Sequence, residues 1–269
     1  MHVVVCVKQV PDTTNVRINP KTNTLMREGV ESIVNPFDEY ALEQGLLLKD
    51  RHGAGLTVIS MGPPQATAVL REALARGADE AFLVSSRAFG GADTLATSYT
   101  LSQAIRKACG GVPDIVLFGK QAIDGDTAQV GPGVSEFLGV PLVTYVKELE
   151  VRSDGPSATY RVVTVMDEGT STIEGRLPAV MTVLKDADAP RYAPLAGAIR
   201  AASAKITVLN EKDVEADPMK IGLKGSPTKV VTIFPPPVKG CGKKIVASGD
   251  AAAKAIVECL EKKGVVNHV

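Results

Sequence analysis

Residues 119–132 read "GKQAIDGDTAQVGP" and follow directly on the apolar run "DIVLF". The stretch holds no serine, cysteine or histidine, so its own side chains supply no conventional nucleophile or base. What it offers is binding chemistry. Gly119 and Gly125 permit positive φ or a close approach by another group. Lys120 adds positive charge, while Asp124 is better suited to ribose hydroxyls than to a phosphate that it would repel. Asp126 reads as the N-cap of a helix beginning around Thr127, whose first-turn amides would form a phosphate-type anion site. Pro132 predicts a kink, because it removes an amide hydrogen. A plain strand-to-helix turn with a capping aspartate fits the same spacing. Neither GxGxxG nor GxxxxGK[ST] occurs in the loop, so the usual dinucleotide and P-loop fingerprints lend no support.

The elements around the loop sharpen its meaning. "HVVVCVKQV", "GLTVISMG", "EAFLVSS", "PDIVLFGKQ" and "PLVTYVKELEV" read as strands. Between them lie helical patterns: "PFDEYALEQGLLLKDRH", "PPQATAVLREALARG" with proline at its start and Gly77 at its end, and stretches near 93–108 and 127–138. The first helix is expected to bring Tyr40, Leu42, Leu46 and Leu47 near one face. This alternation predicts an α/β fold with an open, mainly parallel sheet and helices on both faces. Ligands of such sheets collect at the carboxyl ends of the strands. Three other segments fall at such ends: the loop with Pro11 and Asp12 after Lys8, "NPFDE" with Asn35 before a Pro-initiated helix, and "SMGPPQ". Together they favour a nucleotide.

After Glu148 the pattern changes to a hairpin turning near "DEGT", then returns to a buried strand at Ala179–Val183. "APRYAPLAGAIRAASAKITV" holds one short helix, and "IFPPPVKGCGKK" is a proline-glycine linker. Beyond it "SGDAAAKAIVECLEKKGVV" is an amphipathic helix, capped by Ser248 or Asp250, with Ala253, Ile256, Val257 and Leu260 on one stripe. A lone helix after a linker must dock to cover such a stripe.

Composition removes several classes of function. Thirty lysines and arginines balance thirty aspartates and glutamates, which argues against broad nucleic-acid binding. Zero net charge suits a subunit of a complex. Cys6, Cys109, Cys241 and Cys259 show no CxxC spacing, and His2, His52 and His268 show no ligand pattern, so no metal site is expected. Reduced thiols in a cytoplasmic protein are the expectation, with no signal peptide and no run of about 18 apolar residues to span a membrane. Cys241, in a linker beside lysines, is read as incidental.

"VKQVPDT", "VNPFDEYALEQGLLLKD", "GKQAIDGDTAQVGP", "LPAVMTV" and "PRYAPLAGAIRA" occur in the order found in beta subunits of electron transfer flavoproteins, and the chain resembles that family over nearly its whole length. The resemblance implies a Rossmann-like adenine-nucleotide-binding domain and a C-terminal arm that wraps an alpha subunit, itself the main carrier of an electron-transferring FAD. It implies three parts: a nucleotide-binding domain over 1–185, a recognition loop and irregular segment over 186–234, and a linker with a docking helix over 235–269. Matched to this chain, the nucleotide pocket would comprise Cys6, Asn35, Pro36, Phe37, Asp38, Met61, Gly119, Lys120, Gln121, Ala122, Ile123, Asp124, Gly125, Asp126, Thr127, Ala128, Gln129 and Val130. Phe37 would lie close to the intersubunit flavin. The segment around Leu195 resembles the loop with which conventional members dock acyl-CoA dehydrogenases.

Two branches of the family differ in the beta-site ligand. Conventional members hold a structural AMP; electron-bifurcating members hold a second FAD that takes hydride from NADH and divides the electrons between ferredoxin or flavodoxin and the alpha FAD. Conventional loops read "AIDDDCNQTG", whereas this chain reads "AIDGDTAQVG", as bifurcating and nitrogen-fixation-associated members do. The smaller or less polar Gly125, Thr127, Ala128 and Val130 leave room for a pyrophosphate and flavin. Thr164 and Val165 stand where conventional members carry an arginine–glutamate pair, which argues against the conventional interdomain contact. An ATP-binding module of the universal-stress type would need a late glycine-rich phosphate loop, and an ATP pyrophosphatase would need SGGxDS after strand one; "KQVPDT" stands there instead. The expectation is therefore bifurcation, with AMP binding as its alternative.

Overall fold

The computed structural model describes residues 1–12, 17–19, 24–26, 32–152, 158–232, 244 and 246–266. Cys241, His268 and most of the proline-glycine linker lie outside the described residues. The chain divides into two compact units, Met1–Val231 and Thr232–Val269.

The first unit opens with β1 (His2–Cys6), β2 (Gln9–Pro11), β3 (Arg17–Asn19), β4 (Thr24–Met26) and β5 (Ser32–Val34), then α1 (Pro36–His52) and β6 (Gly55–Met61). It continues with α2 (Thr67–Arg76), β7 (Glu80–Val84), α3 (Thr94–Cys109), β8 (Ile115–Gly119) and α4 (Val130–Leu138). Next come β9 (Leu142–Arg152), β10 (Thr159–Met166), β11 (Gly169–Arg176), β12 (Ala179–Val183), α5 (Leu195–Ser203) and β13 (Ile206–Leu209). The second unit holds α6 (Gly249–Lys262), in which no residue is buried. Ser248 occupies the N-cap position of α6 without a side-chain cap bond. No helix among the described residues is long and apolar enough to cross a membrane.

One nine-stranded sheet runs in the order β11-β10-β9-β12-β8-β1-β6-β7-β13. From β9 to β13 neighbouring strands are parallel, and β10 and β11 add an antiparallel hairpin at the β9 edge. The α/β fold with a mainly parallel sheet is therefore as expected. The "KITV" strand, β13, was not anticipated: with one hydrophobic alternation in a loosely patterned region, it owes its place to pairing with β7. β2 and β5 pair antiparallel; the sequence suggested Gln9 and Val10 as the tail of the first strand and no strand at Ser32–Val34.

Strands buried on both faces need apolar side chains throughout, and "VVVC" supplies them. Val3 and Val5 point into a core shared with α1, α2 and α5, whereas Val4 and Cys6 point into a second core with α3 and α4. Gly77 ends α2 as expected, and Gly53 and Gly110 end α1 and α3 with left-handed φ of 63° and 66°. Helix α1 departs from its expected stripe. It is buried on more than one side, including Leu48, Glu43 and Gln44, whereas Tyr40 and Leu47 are only half-buried. The cause is a second layer: residues 188–191 lie against the helix and bond to Glu43 and Gln44.

The chain leaves β1 for β6 on one side and later returns to β8 on the other. That reversal puts the topological switch point between β1 and β8, where divergent loops open a crevice at the carboxyl ends. Leu117, fully buried in β8 between β1 and β12, holds this centre. Leu117→Ala is expected to lower unfolding free energy by about 2–5 kcal/mol, read from the urea midpoint at unchanged m-value.

Candidate functional site

Cys6, Met61 and Gly119 end the three adjacent strands β1, β6 and β8, and Asn35–Asp38 begin the helix that packs beneath them. The residues expected to form a pocket therefore gather at one edge of the sheet. Leu195, expected to dock a partner and not to line the pocket, lies on α5, which packs against α2.

Asp38 joins the two sides of the switch point. Its carboxylate accepts the Lys8 N–H at 2.7 Å, just past β1, and the Gly119 N–H at 3.2 Å, at the end of β8. Asn35, fully buried, performs the matching task one turn earlier. Its main-chain N–H donates to the Lys8 carbonyl at 2.9 Å. Its amide Nδ2 donates to the Gln121 carbonyl at 2.8 Å and its Oδ1 accepts the Ile123 N–H at 3.1 Å. Pro36 at the first helical position fixes where α1 starts, so both polar side chains are aimed by the helix. Apart from the bond between their own side chains, these two residues bond to main chain of the segments after β1 and β8, so they shape the loops.

Gly119 is needed for this arrangement. A β-carbon there would stand 2.4 Å from Asp38 Oδ1 and 2.5 Å from the Phe37 carbonyl carbon. Gly125 differs: nothing lies within 4 Å of a β-carbon built on it, so its surroundings are open.

The loop itself departs from expectation. Helix α4 starts at Val130, with Gln129 in the cap position, and Asp126 does not cap it. Asp126 and Ala128 both have φ of 53°, a left-handed conformation that cannot begin a right-handed helix. The Asp126 carboxylate instead accepts from the Gln121 amide, and its N–H bonds to the Ala122 carbonyl at 2.8 Å. Pro132 then falls in the first turn of α4, where its missing amide hydrogen would have had no helical acceptor, so it starts the helix without breaking a bond. The first-turn amides come from Val130 and Gly131, one turn later than expected.

The charged groups are also redistributed. Lys8 Nζ grips Asp124 at 2.7 and 2.9 Å, across the two loops. Lys120 turns away and stands 5.3 Å above the Tyr145 ring. Lys185 stands 4.7 Å above the Phe37 ring. Lys8 is thus the cation of this loop, a role not assigned to it from sequence. The signal was its position directly after the strand at which the chain order reverses. Gln129 meets Thr94 Oγ1 at 2.9 Å through its side-chain oxygen, tying the loop to α3. Met61 is half-buried against the second core.

Two groups titrate unusually. Burial lifts the Asp38 carboxyl to about 7, although the bonds from Asn35, Lys8 and Gly119 pull it the other way. Burial, with Asp38 and Cys109 nearby, pushes the Cys6 thiol well up, so this cysteine stays protonated and lines the strand end as an apolar group.

Gly119→Ala is expected to destabilise the chain by about 1–3 kcal/mol, because neither Asp38 nor the α1 backbone can withdraw without losing a buried bond. For Asp38 the folded pKa of about 7 lies above an unfolded value near 4, so its contribution is greatest below the lower value and is lost as pH rises through the upper one. Urea midpoints measured from pH 5 to 8 should fall with rising pH more steeply in the wild type than in Asp38→Asn, which cannot titrate.

A model of the electron transfer flavoprotein domain matches residues 22–214. The electron transfer flavoprotein subunit beta of Clostridium acetobutylicum is 48% identical over 263 residues, covering 98% of this chain and 99% of the relative. The caffeyl-CoA reductase–Etf complex subunit CarD of Acetobacterium woodii is 46% identical, covering 99% and 100%. Protein FixA of Azotobacter vinelandii is 44% identical, covering 100% and 96%. With matches of this length on a fold whose crevice sits at the strand reversal, the chain belongs to the electron transfer flavoprotein family, as a beta subunit serving electron transfer.

Proposed function

We propose that the crevice between β1 and β8 holds an FAD, and that this subunit receives hydride from NADH and divides its two electrons. A bound FAD would supply the hydride-accepting and one-electron chemistry, with ferredoxin or flavodoxin as one acceptor and the alpha-subunit FAD, serving a partner dehydrogenase, as the other. The observation that carries the reading is the open loop around Gly125, held from below by Asn35 and Asp38.

The donors fit a dinucleotide. Amides of the loop and of the first turn of α4 suit a pyrophosphate. Both Asp124 oxygens meet Lys8, yet each keeps a lone pair for a ribose hydroxyl. The pairing neutralises a carboxylate that would otherwise repel phosphate. Gly125, Thr127 and Ala128 leave space that larger polar side chains would fill. Phe37 and Met61 add apolar and aromatic surface at the same edge. No side chain here acts as a general acid or base; the protein positions a cofactor and excludes competing contacts.

In this reading residues 1–185 form the nucleotide-binding body, 186–234 meet the redox partner, and 235–269 engage the alpha subunit in a cytoplasmic heterodimer. Leu195 is the docking residue for a flavin-containing acyl-CoA dehydrogenase. The CarD relative supports a partner of that chemistry, since its name puts it in a complex with a caffeyl-CoA reductase.

Acid extraction of the purified heterodimer followed by chromatography tests the cofactor. Two FAD and no AMP per heterodimer is the expected result. One FAD with one AMP would replace bifurcation by the conventional reading, in which the beta ligand is structural.

A further inference from the structure

Helix α5 is only nine residues long, too short to persist by its own hydrogen bonds, and its exposed residues include the large apolar Leu195 and Ile199. Leu195 is 78% exposed and Ile199 67%, and their spacing of four puts them on one side of α5; Tyr192, 96% exposed, lies in the segment just ahead of the helix. An exposed apolar face on a marginal helix would collapse or fray unless other bonds held it. Polar clamps hold this one at both ends.

At the C-terminal end, Arg71 of α2 donates to the Ala201 and Ala202 carbonyls at 2.7 and 3.2 Å. In return Arg200 of α5 donates to the Leu74 carbonyl at 3.1 Å. Gly197 makes the close approach possible, because a β-carbon there would lie 2.0 Å from the Ala75 carbonyl oxygen. Ahead of the N-terminal end, Arg191 is fastened to α1. Its N–H and Nε donate to Glu43 at 2.9 Å each, Nη2 donates to Glu43 at 2.8 Å, and Nη1 pairs with Asp50 at 2.8 Å. The Glu43 side chain is 6% exposed, so its charge depends on that arginine for compensation. Asp188 adds a bond from Gln44 at 3.0 Å.

We propose that Arg191 is a positioning residue for partner docking: the Arg191–Glu43–Asp50 clamp sets the Tyr192–Leu195–Ile199 face in its binding conformation before the partner arrives. The inference rests on the reading that this face docks a flavin-containing dehydrogenase. Ordering the segment in advance removes part of the entropy loss of association, so the clamp acts on affinity and leaves the chemistry untouched. Only arginine meets the geometry, since a guanidinium reaches Glu43 with two nitrogens and Asp50 with a third, whereas an ammonium reaches one. The clamp also refers the docking face to α1, whose first turn carries Asn35 and Asp38. One helix therefore sets the nucleotide loop and the docking face in a common frame.

The test uses the full heterodimer and a flavin-containing acyl-CoA dehydrogenase, with electron exchange followed by flavin absorbance. Arg191→Ala should raise the KM for the dehydrogenase at least tenfold and change kcat less than twofold, with Arg191→Lys recovering part of the loss. Hydrogen exchange of residues 192–203 should quicken at least tenfold in Arg191→Ala, while residues 115–119 keep wild-type protection. If Arg191→Ala does not fold, Asp50→Asn, which removes only the exposed partner, should show the same pattern more weakly. Leu195→Ala separates the two levels of the argument. A raised KM in Leu195→Ala with an unchanged KM in the clamp variants overturns the positioning role alone. Unchanged KM in both overturns docking through this face. Equal quickening of exchange in both segments means general destabilisation and also overturns the positioning role.

Discussion

A buried carboxylate bonded to two main-chain amides is the constraint on which this site depends. Parallel strands at a reversal of chain order separate at their carboxyl ends, and nothing in the sheet ladder closes the gap between the loops that follow. Asp38 closes it from below, by accepting Lys8 on one side and Gly119 on the other. The arrangement works because α1 begins there: proline starts the helix, Asn35 precedes it, and the carboxylate sits one turn in. Burial opposes the charge and the two amides support it, which leaves the group near neutrality in its titration. A neutral hydrophobic residue would pack as well but could not fix the two amides, and the loops would then lose their common reference.

Most of this was legible in the chain. "VVVCV", "LTVIS" and "DIVLF" are β-branched or apolar runs of strand length between helical patterns, and parallel pairing follows from that alternation. The gathering of Asn35–Asp38 with 119–130 follows once β1 and β8 are neighbours. What could not be read depends on contacts between distant segments. Asp126 looks like a cap by type and spacing, but the left-handed turn at Asp126 and Ala128 delays α4, and a backbone conformation of that kind has no one-letter signature in a non-glycine residue. Lys120 was the obvious cation by proximity. Lys8 replaces it because loop ends meet across the sheet, 116 residues apart in sequence. The burial of Glu43 and Gln44 likewise depends on distant residues, Arg191 and Asp188, which bond to them.

Charge balance within the site makes a loop rich in aspartate compatible with the proposed phosphate-bearing ligand. Asp124 is cancelled by Lys8, Asp126 is engaged by Gln121, and Asp38 is withdrawn beneath the surface. Amides of the loop and of the first turn of α4 carry partial positive charge and would suit a phosphate there. Recognition by main chain also suits a subunit whose cofactor must react. In the proposed reading, loop amides would hold the pyrophosphate while Asp124, paired with Lys8, would meet the ribose. The protein side of the chemistry is then geometric: a rigid helix whose first turn sets the loops, whose middle anchors the segment leading to α5, and whose position against β1 and β8 is fixed by packing. Electron transfer needs distances held constant more than it needs functional groups, and in the proposed reading a single helix bonded to both the loops and the segment leading to α5 would supply that constancy.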